Sequence, residues 1–284
     1  MPQFKRIAVV GAGLIGGSVL LAAARRQLAG SLACWSRSAE SRAFLRGLAV
    51  AEVFDDAVSA VRGADLVVVA TPVDKMEETF RTIAPGLAPG ALVTDAGSVK
   101  AAIIQAARVL PSQVVFVGAH PMAGSEKAGP SHALADLFVQ RPCFVTPTGT
   151  EAAADVQRTE AFWQALGCRT VTCSAQRHDE IVAAISHVPH ASASALMLAV
   201  ASLPGFDPAT TGAGLKDTTR IAAGEENLWV GILLANAPHV IAGLRAAEVQ
   251  TAQLRQALEA GDAEKLRQLL ADARRLRQAL DRPA

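Results

Sequence analysis

The residues that most constrain this chain lie at positions 6–17, RIAVVGAGLIGG, where a short apolar run meets glycines at the G-x-G-x-x-G spacing. Each glycine holds a place that a side chain would spoil. Gly11 allows a tight turn out of a strand, Gly13 lets the backbone approach a pyrophosphate, and Gly16 lets the next helix pack closely on the strand. The helix expected over residues 14–26 then turns its positive end and its first N–H groups, those of Leu14 and Ile15, toward the phosphates. Alone the glycine pattern is weak. Here a strand precedes it, a helix follows, and a second apolar run at residues 32–35 lies where the next strand of a βαβ unit belongs. The segment reads as a dinucleotide-binding loop.

Cofactor choice is set about twenty residues past Gly16, where an NAD-preferring fold places an acid against the ribose 2′-hydroxyl. This chain has Ser36, Arg37 and Ser38 there, a guanidinium between two hydroxyls, which suits a 2′-phosphate. NADP is the expected cofactor and NAD the alternative. Residues 64–70 form an apolar run suited to a strand covered on both faces, ended by Thr71 and Pro72 where a nucleotide would lie across the strand tips. A helix over 75–83 and a strand over 92–95 lead to Asp95-Ala-Gly-Ser98-Val-Lys100, with Ser98 either a site residue or the N-cap of a helix over 99–109. A strand over 114–118 delivers His120, within AHPMAGSE, to the sheet edge that carries Ser98 and Gly11. Strands near 142–146 and 170–173, flanking a helix over 151–166, complete the sheet.

Past Ser174 strand-like runs stop and helical periodicity takes over, which divides the chain into residues 1–174 and 175–284. The fold class is α/β: an N-terminal Rossmann-type doubly wound sheet with a C-terminal all-helical domain. A helix over 176–200 carries Ser186-His187-Val188-Pro189-His190 in its middle, and an interior proline kinks a helix at a cost of about 3 kcal/mol or more. Ser186 and His190 stand at i and i+4 and share a face. His187 and His190 have no acid or cysteine near them at ligand spacing, so no metal is expected. In Gly214-Leu-Lys216-Asp217-Thr-Thr-Arg220-Ile221, two cations beside a glycine-rich turn suit a carboxylate ligand, with Asp217 as a helix cap the plainer reading. Helices over 228–258 and 263–280 meet at Gly261-Asp262. Their apolar stripes (Leu254, Leu258, Leu266, Leu269, Leu270, Leu276) suit a core shared between two subunits.

With 284 residues, 51% of them hydrophobic, the chain can fill two ordinary cores. A formal net charge of +1 supplies no field to recruit nucleic acid or an anionic membrane, so an anionic ligand must be met by local cations. The N-terminus lacks the make-up of a secretory signal, no uninterrupted apolar run reaches the roughly 18 residues of a membrane span, and a cytoplasmic location is expected. Cys34, Cys143, Cys168 and Cys173 show no C-x-x-C spacing; neither a disulfide nor a zinc site is expected.

GAGLIGG, ATPV, TDAGSVK, AHPMAGSE, SHVPH and GLKDTTRIA, followed by NLW and LLAN, form an ordered set over residues 6–236 that resembles the prephenate and arogenate dehydrogenases of tyrosine biosynthesis. The resemblance implies a Rossmann domain followed by a helical dimerisation domain, hence a homodimer, that oxidatively decarboxylates prephenate to 4-hydroxyphenylpyruvate or arogenate to tyrosine. It assigns His120 to the family's catalytic histidine and Ser98 to the serine hydrogen-bonded to it. Ser186 and His190 match the substrate-lining pair of the S-H-x-P-H motif, and Arg220 the arginine that grips a substrate carboxylate. The second carboxylate of prephenate then calls on His190 with Lys216 or Lys100. Where many relatives carry Asp after the second strand, this chain has Ser36-Arg37, which favours NADP. The chain ends at the helical hairpin, so neither the regulatory domain nor the chorismate mutase fused in some relatives is expected.

The absence of an acid among the candidate substrate residues, Asp217 apart, favours prephenate over arogenate, whose ammonium would stand among cations. Two other readings share features of the sequence: a β-hydroxy acid dehydrogenase of similar fold, and a non-catalytic NADP sensor. The S-H-x-P-H and H-P-M-A-G segments argue against the first. The joint presence of His120, Ser98 and Arg220 argues against the second.

Overall fold

The apolar run ahead of the glycine loop forms β1 (Phe4–Val10), whose residues Ile7 to Val10 are fully buried because the strand sits in the middle of a sheet covered on both faces. The structure, a computed structural model, describes residues 3–124 and 127–281; Ser125 and Glu126 of the AHPMAGSE segment lie outside the described residues. After β1 the chain alternates: α1 (Leu14–Arg25), β2 (Ala29–Trp35), α2 (Ala39–Leu48), β3 (Glu52–Val53), α3 (Ala57–Val61), β4 (Leu66–Val69), α4 (Met76–Ile83), β5 (Leu92–Asp95) and α5 (Ala101–Ala106). Then come β6 (Val115–Pro121), β7 (Pro142–Thr146), α6 (Ala153–Ala165) and β8 (Arg169–Thr172). The sheet order is β3-β2-β1-β4-β5-β6-β7-β8. The first six of these are parallel, β7 runs antiparallel to β6, and β8 runs parallel to β7. The chain leaves β1 for β2 on one side and returns to β4 on the other, which makes the switch point where doubly wound sheets open a crevice.

β6 does not stop at Gly118 as the sequence pattern implies. Antiparallel pairing with β7 carries it on to Pro121, with His120 opposite Phe144 and Pro121 opposite Cys143. His120 therefore stands on a strand rather than in the loop beyond it. β2 starts three residues earlier than expected, over Ala29 to Ser31, whose exposure removed any apolar signal. The short β3, α2 and α3 were not anticipated. Ser38 caps α2 by accepting from Ser41 N, and Asp56 caps α3 by accepting from Ser59 N.

The chain divides into two compact units, Met1–Ala237 and Pro238–Ala284. The first holds the sheet with α1 to α6 and, after the sheet, α7 (Ala175–Val182), α8 (Val188–Ala201), α9 (Ala213–Thr219) and α10 (Glu226–Ala235). α7 and α8 are joined by a π turn over Ala183–His187. Pro189, in the first turn of α8, lacks an N–H and would clash with the carbonyl four residues back in a regular helix; the wider turn accommodates it. The whole stretch Ala175–Ala201 is long and apolar enough to cross a membrane by length and composition, yet it buries His178, Asp179, His187 and His190. The single helix expected over 228–258 is two. α10 ends at Ala235, the side chain of buried Asn236 donates to the Asp179 carbonyl and to His187 Nδ1, and α11 (Ala237–Glu259) starts with Pro238 in its first turn. Within the second unit Gly261, at φ +63°, ends α11, and Asp262 caps α12 (Ala263–Ala279) by accepting from Lys265 N. The leucines of this hairpin are half-buried or exposed, Leu258, Leu270 and Leu276 among the exposed ones.

Gly16 is the tightest point of the glycine loop, since a Cβ there would stand 2.5 Å from the Gly11 carbonyl oxygen. Replacing Gly16 with Ala should lower stability by about 1–3 kcal/mol, because backbone rather than a flexible side chain must move. A urea midpoint equal to that of the wild type would refute the packing role.

Candidate active site

The tips of the parallel strands and the helices that follow the sheet enclose a cleft of about 540 Å³. Gly13, Leu14 and Ile15 line it from the glycine loop, Thr71 and Pro72 from the end of β4, Ser98 from the segment after β5, and His120 from β6. Ser186, Arg220 and Trp229 line it from the helical side. A neighbouring recess of about 280 Å³ is lined by Gly11, Ser36, Arg37 and Ser38, and shares Gly13, Thr71 and Pro72 with the cleft. Lys75 and Glu78 line this recess as well.

The glycine loop has the shape a pyrophosphate needs. Gly11, at φ +91°, donates to the Trp35 carbonyl, and a Cβ on it would meet the backbone of Ala70 at 2.8 Å. No atom lies within 4 Å of where a Gly13 Cβ would stand, so that face is open to a ligand at the head of α1. Gly16 is buried behind the loop and packs rather than lines. The Ser38 hydroxyl oxygen already accepts from Ser41 N, which leaves its proton as the donor for a ligand.

Behind His120 stands a cluster that the sequence reading did not anticipate. Lys100 is fully buried and donates to the Asp95 carboxylate and, at 2.6 Å, to the Ala119 carbonyl. Asp95 in turn accepts from Gly97 N at 2.8 Å and Ala119 N at 3.0 Å. Lys100 is therefore no substrate cation: the ion pair holds it under the sheet edge, and burial pulls its ammonium below the usual lysine range. Ser98 does not cap α5. The N–H groups of Lys100 and Ala101 donate instead to the carboxylate of Asp179, on α7, at 2.7 and 2.9 Å. Nor, among the described residues, is Ser98 hydrogen-bonded to His120. His120 Nδ1 lies 2.8 Å from His178 Nε2, and His178 Nδ1 lies 2.7 Å from Asp179 Oδ1. Burial, reinforced by the nearby His178 and Lys100, drives the pKa of His120 well below 6.5, so the ring is neutral and ready to accept a proton.

On the helical side Arg220 reaches the cleft from the one-turn helix Arg220–Ala223, and Ser186 from the π turn. His190 does not line the cleft. It is buried beneath Trp229, whose indole stacks on the imidazole at 3.5 Å and 11°, and Gly224 makes room for that indole, since a Cβ there would meet Trp229 Nε1 at 2.3 Å. Lys216 is exposed on α9 and does not line the cleft, and Asp217 lies within α9 rather than at its cap, which Gly212 occupies. Among the described residues the acid that lines the cleft is Glu225, whose carboxylate accepts from Asn227 N and Leu228 N at the start of α10. A local signal existed for it, an acid just ahead of an apolar helix.

Residues 23–172 match the model of the prephenate dehydrogenase nucleotide-binding domain, and residues 174–272 that of the prephenate dehydrogenase dimerization domain. The chain is 32% identical to cyclohexadienyl dehydrogenase of Zymomonas mobilis over 99% of its own length and 97% of that protein's. The crystal structure of A. aeolicus prephenate dehydrogenase, in complex with hydroxyphenyl propionate and NAD+, superposes with a TM-score of 0.90 at 27% identity, covering 98% of each chain. Synechocystis arogenate dehydrogenase superposes with a TM-score of 0.81 at 29% identity, over 97% of this chain and 100% of that one. A doubly wound sheet, a dinucleotide loop and a histidine on β6 thus agree with two domain matches across most of the sequence, and the chain belongs to the prephenate dehydrogenase family.

Proposed function

We propose that the cleft carries out the oxidative decarboxylation of prephenate to 4-hydroxyphenylpyruvate, with NADP as the cofactor and His120 as the base. The observation that carries this reading is the neutral, buried His120 facing the same cleft as the glycine loop, with Arg220 across from it. The bound dinucleotide supplies the acceptor for the hydride that leaves the hydroxyl-bearing ring carbon. His120 takes the hydroxyl proton as that carbon becomes a carbonyl. Loss of the ring carboxylate as carbon dioxide returns its electron pair to the ring, and the new phenolic oxygen recovers the proton from His120, so none is released overall. Ser98, at the same sheet edge, is placed to hydrogen-bond the hydroxyl, and Arg220 to hold a carboxylate through charge-assisted bonds. Ser186 lines the substrate end directly, whereas His190 acts through the indole stacked on it.

Domain and assembly follow the same logic. The two family matches meet at residues 172–174, which supports a boundary at 174 between the nucleotide-binding part and the helical part. Ile185, Leu198, Val230 and Leu234 are each more than half exposed, an apolar surface that a second copy of the chain would cover, and we read the protein as a homodimer.

Glu225 favours a second reading, in which arogenate is also accepted. Its carboxylate lines the cleft and offers an ammonium the partner that the sequence alone did not reveal. Turnover assays with prephenate and with arogenate decide the matter: a higher kcat/KM for prephenate is expected, and an advantage for arogenate would give Glu225 the larger role.

Replacing His120 with Asn should lower kcat by about 10²-fold or more while leaving KM nearly unchanged, because only proton transfer is removed. Near-normal turnover would end its assignment as base. Cofactor choice rests on the second recess, where Arg37 and Lys75 stand with Ser36 and Ser38. NADP should show the higher kcat/KM, and Ser36→Asp should shift preference toward NAD, since a carboxylate there repels a 2′-phosphate and accepts from ribose hydroxyls. A wild-type preference for NAD would refute the assignment.

A further inference from the structure

The bonds behind His120 fix which of its nitrogens is protonated. Asp179 is almost fully buried and accepts from Lys100 N and Ala101 N, and hydrogen bonding holds its carboxyl below the usual carboxylate range, so it is ionised and can only accept. His178 Nδ1, 2.7 Å from Asp179 Oδ1, must then carry the proton. Burial keeps His178 neutral, so its Nε2 has a lone pair, and the 2.8 Å contact to His120 Nδ1 is a bond that His120 donates. The other nitrogen of His120, Nε2, is left unprotonated.

We propose that His178 and Asp179 are positioning residues which hold His120 in its Nδ1–H tautomer, so that Nε2 is the atom that takes the substrate's hydroxyl proton. This inference rests on His120 being the base, as read above. The arrangement also prepares for the proton's arrival, since the imidazolium formed on His120 is hydrogen-bonded through the His178 ring toward the Asp179 carboxylate. The other charged or titratable groups around the pair are Lys100 and Asp95 from the segment after β5, Cys143 from β7 and His187 from the π turn. Lys100 and Asp95 neutralise each other. Asn236 donates to His187 Nδ1, which opposes protonation there, and burial lowers the pKa of His187 to about 4. Burial keeps the Cys143 thiol protonated. Asp179 is then the one uncompensated charge facing the histidine pair among the described residues.

The test is kinetic and spectroscopic, on the full-length enzyme. His178→Leu removes the acceptor, frees His120 to adopt the Nε2–H form, and should lower kcat with prephenate by about 10- to 100-fold with KM within about threefold. The acid limb of kcat/KM should move to lower pH, because the imidazolium loses its hydrogen-bond acceptor. His178→Gln, whose Oε1 can accept from Nδ1–H, should restore most of the rate, which a purely structural role would not require. Nitrogen-15 NMR of the wild-type histidines should show His120 protonated at Nδ1. Wild-type kcat and an unmoved pH profile in His178→Leu would overturn the proposal. So would an Nε2–H signal from wild-type His120, a measurement that does not depend on whether the variant folds. Near-normal turnover in His120→Asn would instead overturn the base reading itself, leaving the NMR result to stand separately.

Discussion

The ion pair between Lys100 and Asp95 is the contact on which the rest of the active site depends. Both side chains are fully buried, and two charges leave water at a cost of several kcal/mol each unless geometry and extra hydrogen bonds compensate. Extra hydrogen bonds supply the compensation here: Asp95 accepts from two backbone N–H groups besides the ammonium, and Lys100 donates to the carbonyl of Ala119. Those backbone groups belong to residues 97 and 119, so the pair ties the turn that carries Ser98 to the strand that carries His120. Without Lys100, Asp95 would stand as an unpaired buried charge under both site residues, a defect that typically costs about 3–5 kcal/mol.

The helical layer is fastened to this centre through Asp179. One carboxylate closes the N-terminus of α5, holds His178, and so connects α7 to the strand that bears His120. Its backbone carbonyl accepts from Asn236, whose other contact is His187 in the π turn. The break between α10 and α11 and the irregular turn ahead of Pro189 thus meet at shared hydrogen bonds. Irregular backbone here is satisfied by buried polar groups that regular helices would not have needed.

Much of this was legible in the sequence, and the reason lies in the range of the signals. The glycine loop, the apolar strands and the strand-tip residues Thr71, Ser98 and His120 are marked by local patterns, and topology brings them to one edge. Ser186 and Arg220 were marked as site residues by the family resemblance, beside weaker local signs: an i, i+4 face and cations near a glycine-rich turn. What escaped was set by partners far along the chain: His178 meets His120 across 58 positions and Asp179 meets Lys100 across 79, while in sequence they are two polar residues in an ordinary helix. Lys100 read as a cation available to substrate because burial is invisible in a string of letters. The helix break at Asn236 did have a local sign, Pro238, which the apolar periodicity on either side obscured.

The extension of β6 by β7 divides labour in a way that bears on how such enzymes diversify. His120 is held by a strand ladder and the buried pairs beneath it, and Arg220, Glu225 and Trp229, which line the other side of the cleft, sit on or at the ends of short helices outside the sheet. Substitutions among the latter leave the β6–β7 ladder and the Lys100–Asp95 pair in place, because neither set of bonds involves those three side chains. The two sides of the cleft are thus built by different means, one by a hydrogen-bonded ladder over a buried ion pair and the other by short helices, so that each can vary in sequence without the other having to follow.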